Sequence, residues 1–285
     1  MGTRIVVTSA NWSGKGKPSI FPFVSLSDAD FAYDFRSRPT QYSDLTKKTT
    51  LTLMRGALSA GNTSIAFAVD DSVGLVSADG LGLTVDNLGA AFISHIPRTL
   101  ALDGSVKITA YVVGGYSGLA FPPGSQFPGS PGTTPSICNL FDYGSRVNPG
   151  FGMTIQRSGF AYNTTATFGA RVGATVINVG KQDIANGNTK KCAIFLTFDG
   201  TKFSVYNATT GFEQTLTAAE LGITAALPVS SAIRPGVAFG TTGQTSNAVL
   251  APTIYQIAQW GKVLSKTEML EQYKRTLDAF PGLGV

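Results

Sequence analysis

Short segments of alternating apolar and polar residues, closed off by turn chemistry, run the length of this chain and decide its fold class. Thr49-Thr-Leu-Thr-Leu-Met54, Val106-Lys-Ile-Thr-Ala-Tyr-Val-Val113 and Arg171-Val-Gly-Ala-Thr-Val-Ile-Asn-Val179 place β-branched and aromatic residues at period two. That spacing sends alternate side chains to opposite faces of a strand. Ser64–Val69, Gly80–Val85, Phe151–Ile155, Phe160–Phe168, Lys191–Phe198, Lys202–Asn207, Gly236–Phe239 and Thr253–Trp260 follow the same pattern. Asp103-Gly104, Asn186-Gly187 and Asp199-Gly200 supply turns between them, since Asp and Asn bond their own backbone and Gly accepts positive φ. About a dozen short strands without crossover helices imply an all-β chain, two antiparallel sheets packed as a jelly-roll sandwich.

Three segments depart from the pattern. Residues 1–24 form an N-terminal arm, ahead of a sandwich spanning 25–285. The arm holds one strand candidate, Arg4–Thr8, with Ile5 and Val7 on one face, then Trp12, Ile20, Phe21 and Phe23 separated by Gly, Lys and Pro. It is too short to build a core of its own. It is either the first strand of its own sandwich or a segment that pairs with a neighbouring subunit. Residues 117–136 carry five prolines, which no central strand tolerates. The segment is therefore a long loop at the sandwich periphery, with Phe121 and Phe127 as costly apolar groups to leave in water. Leu264-Ser-Lys-Thr-Glu-Met269 opens the one helix. Ser265 is its N-cap, Glu268 completes a capping box, and Leu264 and Met269 occupy the hydrophobic-staple positions. Met269, Tyr273 and Leu277 are expected on its buried face.

Composition narrows the function classes. Of 285 residues only 14% are charged and the formal net charge is +5, so Thr, Ser, Asn, Gln and Gly supply the polar surface. The basic residues are scattered, Lys47-Lys48, Lys190-Lys191 and Lys274-Arg275 being the adjacent pairs. A nucleic-acid partner needs a concentrated basic footprint, so none is expected. No apolar run reaches the roughly 18 positions of a membrane span, and no membrane insertion is expected. The N-terminal residues lack a continuous apolar core, so no signal peptide is read there. Cys138 and Cys192 are expected as free thiols, because a chain this long needs no staple.

Reactive constellations are missing. The glutamates are Glu213, Glu220, Glu268 and Glu271, and none has the alternating spacing that sets two carboxyl groups about 5 Å apart on a strand for retaining glycoside hydrolysis. Asp70-Asp71 and the set Asp28, Asp30, Asp34 read as turn or strand-edge features. His95 is the only histidine, too few for a zinc site or a triad with a recognisable nucleophile elbow. Asp70, Asp71 and Asp142 are the only calcium candidates. No catalytic residue, metal or cofactor is expected.

The last hundred residues resemble a known family. The hairpin Ala193-Ile-Phe-Leu-Thr-Phe-Asp-Gly-Thr-Lys-Phe-Ser-Val-Tyr-Asn207, the pair Phe239-Gly240 and the closing run Ile257-Ala-Gln-Trp-Gly-Lys-Val-Leu-Ser-Lys-Thr-Glu268 resemble the laminin-G-like branch of the concanavalin A-like lectin/glucanase superfamily. Upstream, Asp79–Val85 and Ser105–Tyr111 resemble its opening strands. The resemblance spans roughly residues 25–280 and leaves the arm without a counterpart. It implies the same sandwich. Trp260 is expected to plug the core where strand passes into helix, the alternative being a tryptophan that stacks on sugar.

Such sandwiches occur in virions. The expected function is a non-enzymatic structural or adhesion protein of a tailed bacteriophage: a head-decoration, tail-fibre or tail-associated subunit. It would be made in the host cytoplasm and carried in the virion. Its expected partners are itself, other virion proteins and a host-surface glycan, reached through Ile5, Val7, Trp12, Phe21, Phe23, Phe121 and Phe127. The alternatives are a free carbohydrate-binding module and a glycoside hydrolase.

Overall fold

A computed structural model describes residues 23–24, 28–34, 50–52, 64–67, 74–76, 82–85, 90–93, 99–116, 137–143, 150–157, 165–173, 175–183, 191–227, 237–240 and 252–280. They form two antiparallel sheets and one helix. In chain order the strands are β1 (Ala29–Asp34), β2 (Thr50–Thr52), β3 (Ser64–Phe67), β4 (Gly74–Val76), β5 (Leu83–Val85), β6 (Ala90–Ile93), β7 (Ile108–Tyr116) and β8 (Ile137–Tyr143). They continue as β9 (Gly150–Arg157), β10 (Thr165–Gly173), β11 (Thr175–Asp183), β12 (Lys191–Phe198), β13 (Lys202–Asn207), β14 (Phe212–Thr217), β15 (Val237–Gly240) and β16 (Pro252–Trp260). The helix, α1, is Lys266–Ala279. The first sheet runs β14-β13-β12-β7-β16-β5-β4, with β1 beside β5 along the same edge of β16; the second runs β11-β10-β9-β8-β15-β6-β3-β2.

The alternation read from the sequence positions the inter-sheet core. Leu196 pairs with Val205 and Phe198 with Phe203 across the β12–β13 hairpin, and the Phe198 and Phe203 rings stack at 4.5 Å. Phe151 of the second sheet reaches Phe203 of the first at 6.3 Å. These rings are fully buried, each worth roughly 1.5–3 kcal/mol relative to exposure. The hairpin turns at Asp199-Gly200, as expected. Gly200 has φ +101°, and a Cβ there would collide with the Gly104 backbone. Glycine is required because the two Asp-Gly turns touch.

Every residue of β12 is buried. Its other face is covered by α1, so the architecture has a third layer. Tyr111, Phe195, Tyr206, Tyr255 and Trp260 pack there with Leu264, Met269 and Phe280. The helix begins as its sequence dictates: Ser265 accepts from the Glu268 backbone, Glu268 accepts from the Ser265 backbone, and Leu264 and Met269 are both buried. Trp260 is fully buried, but in this second layer rather than between the sheets.

Three expectations need correction. Arg171–Val179 is two strands: Val172 pairs with Thr175, so the chain reverses at once between β10 and β11. The turn falls where small residues follow Val172, inside a run whose alternation looks continuous. Leu277 is 38% exposed, and the buried helix face is instead Met269, Gln272 and Thr276. Hydrogen bonds join apolar contact in setting that face, and Tyr273 packs partly buried against the same layer. Finally, Phe23, expected to face a partner from the end of the 1–24 segment, packs with Val24 into the layer beneath α1.

Candidate functional site

Of the seven residues expected to face a partner, only Phe23 lies among the described ones, and it is 2% exposed within this chain's own core. It is unavailable to a partner because the Val24 backbone beside it is clamped. The Val24 N–H donates to Gln272 Oε1 at 2.6 Å, and the Val24 carbonyl accepts from Trp260 Nε1 at 3.2 Å. Ile5, Val7, Trp12, Phe21, Phe121 and Phe127 lie outside the described residues, as do Asp70, Asp71 and His95. The same clamp takes Trp260 out of consideration as a sugar platform. Its ring is buried and its N–H is engaged.

The clamp belongs to a polar seam beneath the helix. Tyr111 hydroxyl meets Thr276 Oγ1, and Thr276 Oγ1 donates to Gln256 Oε1 at 2.7 Å. Thr276 Oγ1 also lies 3.2 Å from the Gln272 carbonyl of its own helix. Thr109 Oγ1 donates to the Lys262 carbonyl at 2.8 Å and accepts from Leu264 N at 2.9 Å, tying β7 to the strand–helix link. On β16, Gln259 Nε2 donates to Asp30 Oδ2 at 2.9 Å. Asp30 falls at the bulge between Ala29 and Phe31 in the pairing of β1 with β16.

Seven of the described carboxylates, Asp28, Asp30, Asp103, Asp199, Glu213, Glu220 and Glu268, are engaged structurally. Backbone and side-chain hydrogen bonds from Ser265, with Lys262 at 3.0 Å, hold Glu268 below the usual carboxylate range. Lys262 is correspondingly raised by Glu268, and by Asp28 at 3.2 Å. Burial pushes Asp199 up, but the bonds it accepts from Lys202 N (2.7 Å), Thr201 N (2.8 Å) and Thr201 Oγ1 outweigh that, so its net shift is downward. Asp103 is lowered by Ser105 in the facing turn. The Thr217 N–H and hydroxyl bind Glu220 Oε2 at 2.7 and 2.8 Å and lower its pKa too. Glu213 pairs with Lys266, whose ammonium also lies over the Tyr206 ring. Among the described residues no group of three or more His, Cys, Asp or Glu is placed to hold a metal ion. Cys192 is a buried thiol outside any disulfide, and no described helix is long and apolar enough to cross a membrane.

What the described surface offers instead is a strand edge. β14 ends the first sheet and pairs with β13 in an unbroken register from Lys202–Thr217 to Asn207–Phe212. The Thr217 N–H reaches Glu220, so it points away from β13. By period two, the N–H and C=O groups of Thr215 and Glu213 also point outward. Both residues are exposed, while Phe212, Gln214 and Leu216 on the other face are half-buried. This edge was not read from the sequence, although Phe212-Glu-Gln-Thr-Leu-Thr217 alternates and follows a Thr-Thr-Gly turn.

No family model matches the chain, and no curated protein matches it. Among solved structures it is similar to the botulinum neurotoxin serotype D binding domain, at 8% identity and TM-score 0.46 over 88% of this chain and 51% of that one. It is similar to a Trypanosoma rangeli sialidase at 13% and 0.44, over 86% and 38%. It is also similar to a carbohydrate esterase of the Shiga toxin-encoding bacteriophage phi24B at 9% and 0.44, over 70% and 90%. The chain spans about half the length of the toxin binding domains it matches. At these TM-scores the likenesses bear on neither family membership nor activity.

Proposed function

We propose that this chain is a non-catalytic subunit of a bacteriophage virion, a head-decoration, tail-fibre or tail-associated protein with a concanavalin A-like sandwich that makes protein or glycan contacts. The observation that carries the reading is the β14 edge, where Glu213 and Thr215 turn backbone donors and acceptors to solvent in a regular strand. Sandwiches that stay monomeric blunt such edges with proline, charged side chains or bulges; β14 has no proline and no bulge, and its one charge, Glu213, is paired with Lys266. The low charge content, 14%, supports close packing of like subunits.

The non-catalytic part rests on the carboxylates. Asp103, Asp199, Glu220 and Glu268 hold turns and caps, and Asp28, Asp30 and Glu213 hold strands and helix together. Each is engaged with a structural donor.

Incubation of the full chain with β-glucans and bacterial surface polysaccharides tests this reading. Retention on a polysaccharide or on virion proteins, with no new reducing ends, is the expected result. Release of reducing ends that disappears when one carboxylate is replaced by its amide would overturn it.

A further inference from the structure

We propose that β14 pairs antiparallel with β14 of a second copy about a two-fold axis at Gln214, joining the two first sheets edge to edge. This pairing rests on the assembly reading above and adds to it the partner and the register.

The open backbone groups choose the register. Glu213 and Thr215 turn their N–H and C=O groups outward, with no backbone partner for them among the described residues. The Thr217 N–H is already given to Glu220 Oε2 at 2.7 Å. Residues that exchange hydrogen bonds across an antiparallel pair must both turn their groups to the partner. Glu213 opposite Glu213 would set like charges face to face. It would also set Thr215 against Gly211, whose N–H donates to the Asn207 carbonyl. Thr215 opposite Thr215 would set Glu213 against Thr217 and call on the N–H that Glu220 holds. Glu213 opposite Thr215 uses both residues, leaves Glu220 its bond and separates the glutamates. The two-fold axis then repeats that pair with the copies exchanged.

The side chains fit the same register. Phe212, Gln214 and Leu216 are half-buried, on the face where Gln214 neighbours Val205 and Leu216 neighbours Phe203. Across the axis Phe212 lies opposite Leu216, and Gln214 opposite Gln214, at the non-hydrogen-bonded sites where side chains approach most closely. The Phe–Leu pairs cover apolar surface left open where the sheet stops, and two primary amides can each donate to the other. On the opposite face each Glu213 brings its own counter-ion, Lys266, which lies over Tyr206 of the neighbouring strand. The edges therefore meet with their carboxylates neutralised. The contact is small against the roughly 20–30 residues a side of a standard interface, so the dimer is expected to come apart on dilution.

The test uses full-length chains. At high concentration the wild-type chain should scatter as twice the 29.8 kDa of one chain. Thr215→Pro removes an outward N–H and leaves the bonds to β13 in place, so it should scatter as one chain. Gln214→Cys should give a disulfide-linked dimer on a non-reducing gel. Facing Cα atoms at such a site lie about 4.5 Å apart, within the reach of a disulfide. Glu213→Cys should give none, because it faces Thr215. If Thr215→Pro misfolds, the cysteine variants decide. An oligomer that survives Thr215→Pro, or one in which Gln214→Cys fails to link or Glu213→Cys links instead, overturns the pairing and leaves the assembly reading standing. A wild-type chain that is monomeric throughout removes both.

Discussion

Between the sheets, Phe151, Phe198 and Phe203 meet ring on ring with aliphatic neighbours around them. Beneath α1, an aromatic cluster of similar size, with Tyr111 stacked on Phe195 at 4.4 Å, is threaded by Gln256, Gln272, Thr276 and Thr109, all buried. The first layer is held by area and shape. The second is held as much by a chain of hydrogen bonds, each worth little net but costly to leave half-made. A helix seated this way has a fixed register and position, and it fixes Val24 with it. The buried polar face also explains why Leu270 and Leu277 are left at 46% and 38% exposure.

Substitutions sharpen the contrast. Phe203→Ala empties the inter-sheet layer and should cost about 3–5 kcal/mol in urea unfolding; a cost under about 1 kcal/mol would mean that the layer is not the main core. Thr276→Val keeps the shape but strips Tyr111 and Gln256 of their shared partner. It should cost about 1–3 kcal/mol, and combining it with Tyr111→Phe should cost less than the sum of the two. Additive costs would show that the seam is not a network.

Ser265→Ala should cost about 1 kcal/mol by removing the cap. Glu268 adds a pH signature to the same turn. Its folded pKa lies below the ordinary 4.5, so its contribution is full above that value and is lost as pH falls through the folded pKa. Glu268→Gln should flatten the acid limb of the stability profile; an unchanged limb would break the link. Leu277→Lys, at the exposed end of the comparison, should change stability by no more than about 0.5 kcal/mol. A loss of several kcal/mol would restore Leu277 to the buried face.

The same contrast explains what could be read from the residues alone. β12, β13, the Asp-Gly turn, the capping box and the staple are local patterns, and each stands where alternation and spacing put it. The polar seam is not local: Gln256, Gln272 and Thr276 look like solvent-facing residues until strand and helix are superposed. Leu277 was misplaced because apolar spacing cannot foresee a buried amide and hydroxyl taking the inner face. Phe23 was misplaced because its partners, Trp260 and α1, lie more than two hundred residues away in sequence. Ala29–Asp34 hides as a strand because Asp28, Asp30 and Asp34 break its apolar run, yet it pairs along β16 with a bulge at Asp30. The β14 edge was legible as an alternating run, but that it ends a sheet follows only from topology.

The molar mass of the full chain in solution, followed by light scattering across a dilution series, tests the assembly claim most directly. A mass that is a whole multiple of 29.8 kDa and falls toward one chain only on dilution is the expected result. A single-chain mass at every concentration would contradict it.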